Sequence, residues 1–179
     1  MSSENKKGGY KRHYVIRLVV FWVLFILYMT MMVFLLFFFD REPRTEYRYN
    51  LEPFVEIKRY WSCLHPDGPY FKYALFNLFG NVALFIPYGF IIPIIFHKRN
   101  SFIWVFMSCL VFIGSIETIQ LVTKLGAFDV DDIILNFIGG MIGYIIYVIV
   151  RFIYRRAFFL YTKEKKSEMR DSNSAEKLK

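Results

Sequence analysis

Glu117 lies inside an apolar run, Phe102–Val122, and Gln120 follows it by three residues. A carboxylate more than one turn inside such a run needs a partner or a task, because an unpaired polar group in hydrocarbon costs on the order of several kcal/mol. Two further polar sets interrupt apolar stretches. Asn77 and Asn81 fall in one; Asp129, Asp131, Asp132 and Asn136 stand at the head of another. Residues three or four apart share a helix face, so Asn77/Asn81, Glu117/Gln120 and Asp132/Asn136 each read as one stripe. Carboxylates and amides together could bind a polar headgroup. They could also serve as an acid/base pair on a lipid-linked or glycan substrate, or offer hard oxygen ligands to Mg²⁺ or Ca²⁺. There is no Ser-His or Cys-His arrangement and no glycine-rich phosphate loop. His13, His65 and His97 stand in tails or turns with no ligand-spaced neighbour. No cofactor and no resident metal are expected.

The elements that must position these residues are helices in a membrane. The chain has 179 residues, 56% hydrophobic and 21% aromatic. Its apolar residues come in blocks near 20 long, which excludes an ordinary soluble enzyme, a disordered chain and a disulfide scaffold. The spacing predicts four spans, at about 18–39, 73–96, 102–122 and 131–150. The first covers about 33 Å at 1.5 Å per residue, enough for a hydrocarbon core of about 30 Å. Phe37-Phe38-Phe39-Asp40 has no small-residue cleavage site, so the first block reads as a retained helix and not a signal peptide. The expected fold class is an all-α integral membrane protein: a bundle of four transmembrane helices with a 33-residue extracytoplasmic loop, 40–72, after the first helix. Residues 1–17 and 151–179 read as basic cytoplasmic tails around a membrane domain, 18–150. Within the loop, Phe54–Trp61 reads either as a short interfacial amphipathic helix or as an ordinary solvated stretch.

Orientation follows the basic residues. With both termini inside, 16 of the 23 Lys and Arg fall on the inner side, and the six basic residues of the long loop are matched by six acids. The net charge of +8 is therefore an orientation signal beside anionic lipid, and no nucleic-acid partner is expected. On this topology the polar residues of the second, third and fourth helices lie at similar depth in the outer leaflet. The stripe of the fourth helix continues into Gly139, Gly140 and Gly143, and Gly139/Gly143 is a small-xxx-small pair for close helix approach. The expectation is one polar pocket built from Asn77, Asn81, Glu117, Gln120, Asp129, Asp132 and Asn136. Simpler roles remain open: Asp131 or Asp132 as a cap or dipole partner of the fourth helix, and the two asparagines as interhelical hydrogen-bond donors. Asp131 points about 100° away from Asp132 and is expected to matter less.

These residues carry a resemblance. Asn77-Leu78-Phe79-Gly80-Asn81 through Phe85-Ile86-Pro87-Tyr88-Gly89 resembles the N-x-x-G-N-x-x-x-F-x-P-x-G stretch of the VanZ-like family. Glu117-Thr118-Ile119-Gln120 is similar to its E-x-x-Q, and Phe128–Gly140 to its F-D-x-D-D-x-x-x-N-x-x-G-[AG]. Upstream, Asn50–Ile57 is similar to an N-L-x-P-F-x-x-I stretch. The likeness covers about residues 18–150 and adds Gly80 to the packing glycines. Some relatives carry an arginine in the turn before the acidic motif; here that turn is Lys124-Leu125-Gly126-Ala127.

The resemblance implies a multi-pass protein of the bacterial cytoplasmic (inner) membrane, of a family linked to reduced susceptibility to teicoplanin and related lipoglycopeptides. The first functional expectation is a non-enzymatic cell-envelope factor whose outer-leaflet pocket binds a lipid headgroup, a lipid-linked wall precursor or the drug. The alternative is an outer-leaflet enzyme using Glu117 with Asp129 or Asp132 as acid/base pair or metal ligands.

Overall fold

The computed structural model describes residues 3–38, 45–96 and 102–176. The expected inner turn at 97–101, with Lys98 and Arg99, and the start of the long loop at 39–44 lie outside them. The elements in order are α1 (Ser3–Phe37), β1 (Tyr49–Asn50), α2 (Val55–Ser62), α3 (Phe71–Leu75), α4 (Asn81–Ile95), α5 (Phe102–Thr123), β2 (Phe128–Asp129) and α6 (Val130–Glu176). A π-helical turn, Phe76–Gly80, joins α3 to α4. Four helical stretches are long and apolar enough to cross a membrane: Val19–Phe37, Phe71–Ile95, Phe102–Thr123 and Val130–Ser167. The protein is mostly helical and multi-pass.

Two differences from the sequence reading concern the ends of elements. Residues 151–176 are not a separate tail but a continuation of α6, a 47-residue helix. Its cause is compositional: no Gly or Pro follows Gly143, so nothing stops the helix once the span has nucleated it. Residues 45–70 also hold a strand, β1, which pairs with β2 in a two-stranded sheet, and of the two readings of Phe54–Trp61 the helical one is found, as α2.

The chain forms two compact units, Met1–Tyr49 with Thr118–Phe128, and Asn50–Glu117 with Asp129–Lys179. In the first, Met32 and Leu36 of α1 are buried, and the chain after α5 turns through Lys124 at a left-handed φ of 58°. The Lys124 ammonium donates to the Thr45 carbonyl at 2.9 Å and sits 4.7 Å from the centre of the Tyr47 ring. The Phe128 N–H donates to the Arg48 carbonyl.

The second unit is held by α4, α5 and α6. Along α4 and α6 the close approaches run in the same direction: Val82 against Gly139, then Ile86 against Gly143, with Gly89 against Gly140. A methyl group built on Gly139, Gly143 or Gly89 would collide with the backbone carbonyl of Val82, Ile86 or Gly140. These glycines set a backbone-to-backbone contact that no larger residue permits. Gly140 is touched from α5 by Cys109, and α5 runs antiparallel to α6, with Phe106 edge-on to Phe137 at 4.9 Å and Phe102 near Tyr144. Tyr88 stacks on Phe112 at 4.6 Å and donates to the Ser108 carbonyl. Gly80 departs from the expectation: a side chain there would meet open space, so it is not a packing glycine but the end of the π-helical turn.

Candidate functional site

Three acids at the start of α6 organise the polar groups of the second unit. Asp129 stands just before the helix, and its Oδ1 accepts the Asp131 N–H at 2.9 Å, so Asp129 itself is the N-cap of α6. The same oxygen accepts Asn50 Nδ2 at 3.1 Å, tying β1 to the helix start. The backbone N–H of Asp129 donates to Glu117 Oε2 at 3.2 Å. Burial, the largest effect on Asp129, holds its carboxyl above the ordinary aspartate range, against the pull of the two hydrogen bonds it accepts.

With capping done by Asp129, the next two carboxylates reach other elements. Asp132 Oδ1 accepts Asn81 Nδ2 at 2.7 Å, joining the head of α6 to that of α4. Asp131 is 1% exposed and turns the other way. Its carboxylate accepts the N–H of Phe54 at 2.5 Å, of Glu56 at 2.7 Å and of Ile57 at 3.0 Å. These donors belong to the first turn of α2, whose orphan N–H groups no side chain of its own caps. A carboxylate 74 to 77 residues away therefore supplies the anionic cap of α2. It also holds Phe54 at a left-handed φ of 67°, a conformation costly for an aromatic residue.

This corrects the lesser role expected for Asp131. It neither caps α6 nor merely opposes its dipole. It is the anchor of the segment after β1.

The predicted residues thus fall into three groups. Glu117, Asp129, Asp132 and Asn81 are linked through residues 129–132, a stretch that spans at most about 10 Å of chain. Glu117 is 1% exposed. Asn136, one turn below Asp132 and also 1% exposed, has a side-chain oxygen with no hydrogen-bond partner among the described residues. Asn77 instead donates to the carbonyl of Tyr73 on its own helix at 2.8 Å. The π-helical turn breaks the four-residue stripe that Asn77 and Asn81 would share in a regular α-helix. Gln120 belongs to the first unit, where its amide donates to the Leu36 carbonyl at 2.8 Å and its side chain packs on Gly126. Among the described residues no group of three or more His, Cys, Asp or Glu is placed to hold a metal ion.

The sequence reading missed Asp131, Asn50 and Gly89 as structural members of this region. The available signal was the density of acids in Phe128-Asp129-Val130-Asp131-Asp132, since one helix start uses only one cap.

The VanZ/LLP1 family model matches residues 25–151, well over half of the chain, and takes in the whole of this cluster. The chain belongs to the VanZ/LLP1 family. It is 35% identical over 71 residues to Protein VanZ of Enterococcus faecium, a stretch covering 40% of this chain and 44% of that protein. The chain thus spans less than half the length of the curated relative it matches. No solved structure matches it. The family match covers the paired glycines of α6, the acidic head of that helix and the α2 segment that Asp131 anchors.

Proposed function

We propose that this VanZ/LLP1 family member is a non-enzymatic factor of the bacterial cytoplasmic membrane that lowers susceptibility to teicoplanin and related lipoglycopeptides. Both termini lie in the cytoplasm, which puts the head of α6 in the outer leaflet. There Asn81, Glu117, Asp129, Asp132 and Asn136 receive a lipid headgroup, a lipid-linked wall precursor or the drug. The observation that carries this reading is the fully buried, unpartnered oxygen of Asn136 beside the Asp132–Asn81 pair. A buried acceptor without a donor costs about 1–3 kcal/mol, which an N–H or O–H of a ligand recovers. The carboxylates are engaged as hydrogen-bond acceptors from the protein's own donors, and this favours binding over proton transfer.

The test is expression in a susceptible host with teicoplanin susceptibility as readout and membrane protein level as control. Wild type raises the inhibitory concentration. Asn136→Leu, which removes the acceptor, abolishes the effect at unchanged protein level, and Glu117→Gln retains most of it. No protection by wild type ends the proposal. Loss with Glu117→Gln alone, while Asn136→Leu stays active, favours an enzyme that uses Glu117 in acid/base chemistry.

A further inference from the structure

Asn136 narrows what the head of α6 can hold, once that cluster is read as a binding site. Helix geometry puts Asn136 within about 40° of Asp132, on the face that α6 turns to α4. Gly139, a turn further on, lies against Val82, the chain neighbour of Asn81. Asn136 is 1% exposed, and its Oδ1 meets no donor among the described residues. Asp132 and Asn81 are only half-buried, so a group from outside can reach the pair. Phe76 and Phe79, in the π-helical turn just before Asn81, are 69% and 53% exposed and give that approach an apolar border.

The side-chain atoms offered there are acceptors. Asn81 gives its amide nitrogen to Asp132, so its other polar atom is an oxygen. A carboxylate accepts about four hydrogen bonds, and Asp132 can therefore serve Asn81 and a ligand together. The N–H groups that would draw an anion are already engaged. Helix starts are ordinary anion sites. Here Asp129 takes the Asp131 N–H at the start of α6, and Asp131 takes those of Phe54, Glu56 and Ile57 at the start of α2. The charge is acidic as well. Asp129, Asp131, Asp132 and Glu117 stand in this region, and Arg59, whose charge is felt at Asp129, is paired with Glu56 at 2.7 Å. A phosphate would meet few donors and like charge. A cation bearing several N–H groups suits both the acceptors and the charge.

We propose that this cluster takes the primary ammonium of a lipid headgroup, which donates to Asn136 Oδ1 and lies against the Asp132 carboxylate. An ammonium carries three donors and one positive charge, so it satisfies the buried acceptor and offsets part of the acidic charge. Position names the source. The membrane span of α6 runs from Val130 to Ser167, so Asp132 stands at its very end, where headgroups lie. The exposed phenylalanines border the acyl side of the same approach.

The experiment is native mass spectrometry of the full chain in detergent, titrated with phosphatidylethanolamine, phosphatidylcholine and phosphatidylglycerol of the same acyl chains. The first two share phosphate and charge and differ in N–H donors; the third has no ammonium. Phosphatidylethanolamine binds at least about ten-fold more tightly than either, the factor that one hydrogen bond involving a charged group supplies. Asn136→Leu removes the preference and Asn136→Asp keeps it. Where Asn136→Leu does not fold, the wild-type ranking of the three lipids decides alone. Equal binding of phosphatidylethanolamine and phosphatidylcholine overturns the proposal. So does tightest binding of phosphatidylglycerol, or a preference that survives Asn136→Leu. Displacement of the lipid by glycerophosphoethanolamine at equal concentration overturns it too, since the source is then a soluble amine. A preference for phosphatidylethanolamine without protection from teicoplanin sinks the functional reading and leaves this assignment standing. Protection that Asn136→Leu abolishes, without that lipid preference, does the reverse.

Discussion

Replacing Asp131 by alanine removes the acceptor of three backbone N–H groups at once, those of Phe54, Glu56 and Ile57. Hydrogen bonds to a charged group are worth about 1.5–3 kcal/mol each. The full sum does not apply, because Phe54 is 51% exposed and water takes up part of the released donors. A net loss of roughly 3 kcal/mol remains, and Phe54, strained at φ 67°, no longer has the hydrogen bond that held it there. The loss is local. The α4–α6 contact rests on Gly89, Gly139 and Gly143 and does not involve Asp131, so the helices stay packed while 54–62 detaches. The assay is hydrogen exchange at Glu56 and Ile57 together with limited proteolysis of the 50–62 segment. An opening penalty lower by about 3 kcal/mol speeds exchange by about two decades. Asp131→Asn keeps one acceptor oxygen and falls between. Asp132→Ala, which frees Asn81 instead, leaves the Glu56 and Ile57 amides protected. Unchanged exchange in Asp131→Ala, or equal effects from the two alanine variants, would refute the capping argument.

Three other outcomes follow from the same geometry. Gly143→Ala and Gly139→Ala cut folded yield, because each new methyl meets a backbone carbonyl of α4 and overpacking costs about 1–3 kcal/mol or more; Gly80→Ala, facing open space, leaves yield unchanged. Burial raises the Asp129 carboxyl above its ordinary 3.8, so the folded state favours the protonated group. The stability it contributes is full below that ordinary value and is lost as pH rises through the raised one, and Asp129→Asn flattens this part of a melting-temperature profile. With both termini cytoplasmic, a cysteine at Ser62 in a chain lacking Cys63 and Cys109 is labelled from outside intact cells and one at Ser167 is not; the reverse pattern moves the polar cluster to the other leaflet.

The spans were legible because lipid imposes a length and a composition on every crossing helix, and both are written in consecutive residues. The packing face of α6 was legible for a similar reason: Gly139 and Gly143 stand four apart, and helix geometry alone puts them on one side. The polar side was only half legible. Spacing could place Asp132 over Asn136, but the π-helical turn at Phe76–Gly80 has no sequence rule and took Asn77 away from Asn81. Asp131 was least legible of all, since its partners are main-chain N–H groups, which carry no residue identity.

The arrangement at the head of α6 divides three neighbouring acids among three tasks. Asp129 satisfies the start of its own helix, Asp131 the start of α2, and Asp132 the amide on α4. Their directions follow from helix geometry, with about 100° between successive side chains once the helix has begun. The glycines two and three turns on, Gly139 and Gly143, draw α4 close enough for Asn81 to meet Asp132. A bulky residue at Gly139 would therefore act on the polar cluster as well as on packing, because it would push Asn81 away from its acceptor. Close packing and polar satisfaction are one constraint here, and Asn136 is where that constraint leaves an acceptor open.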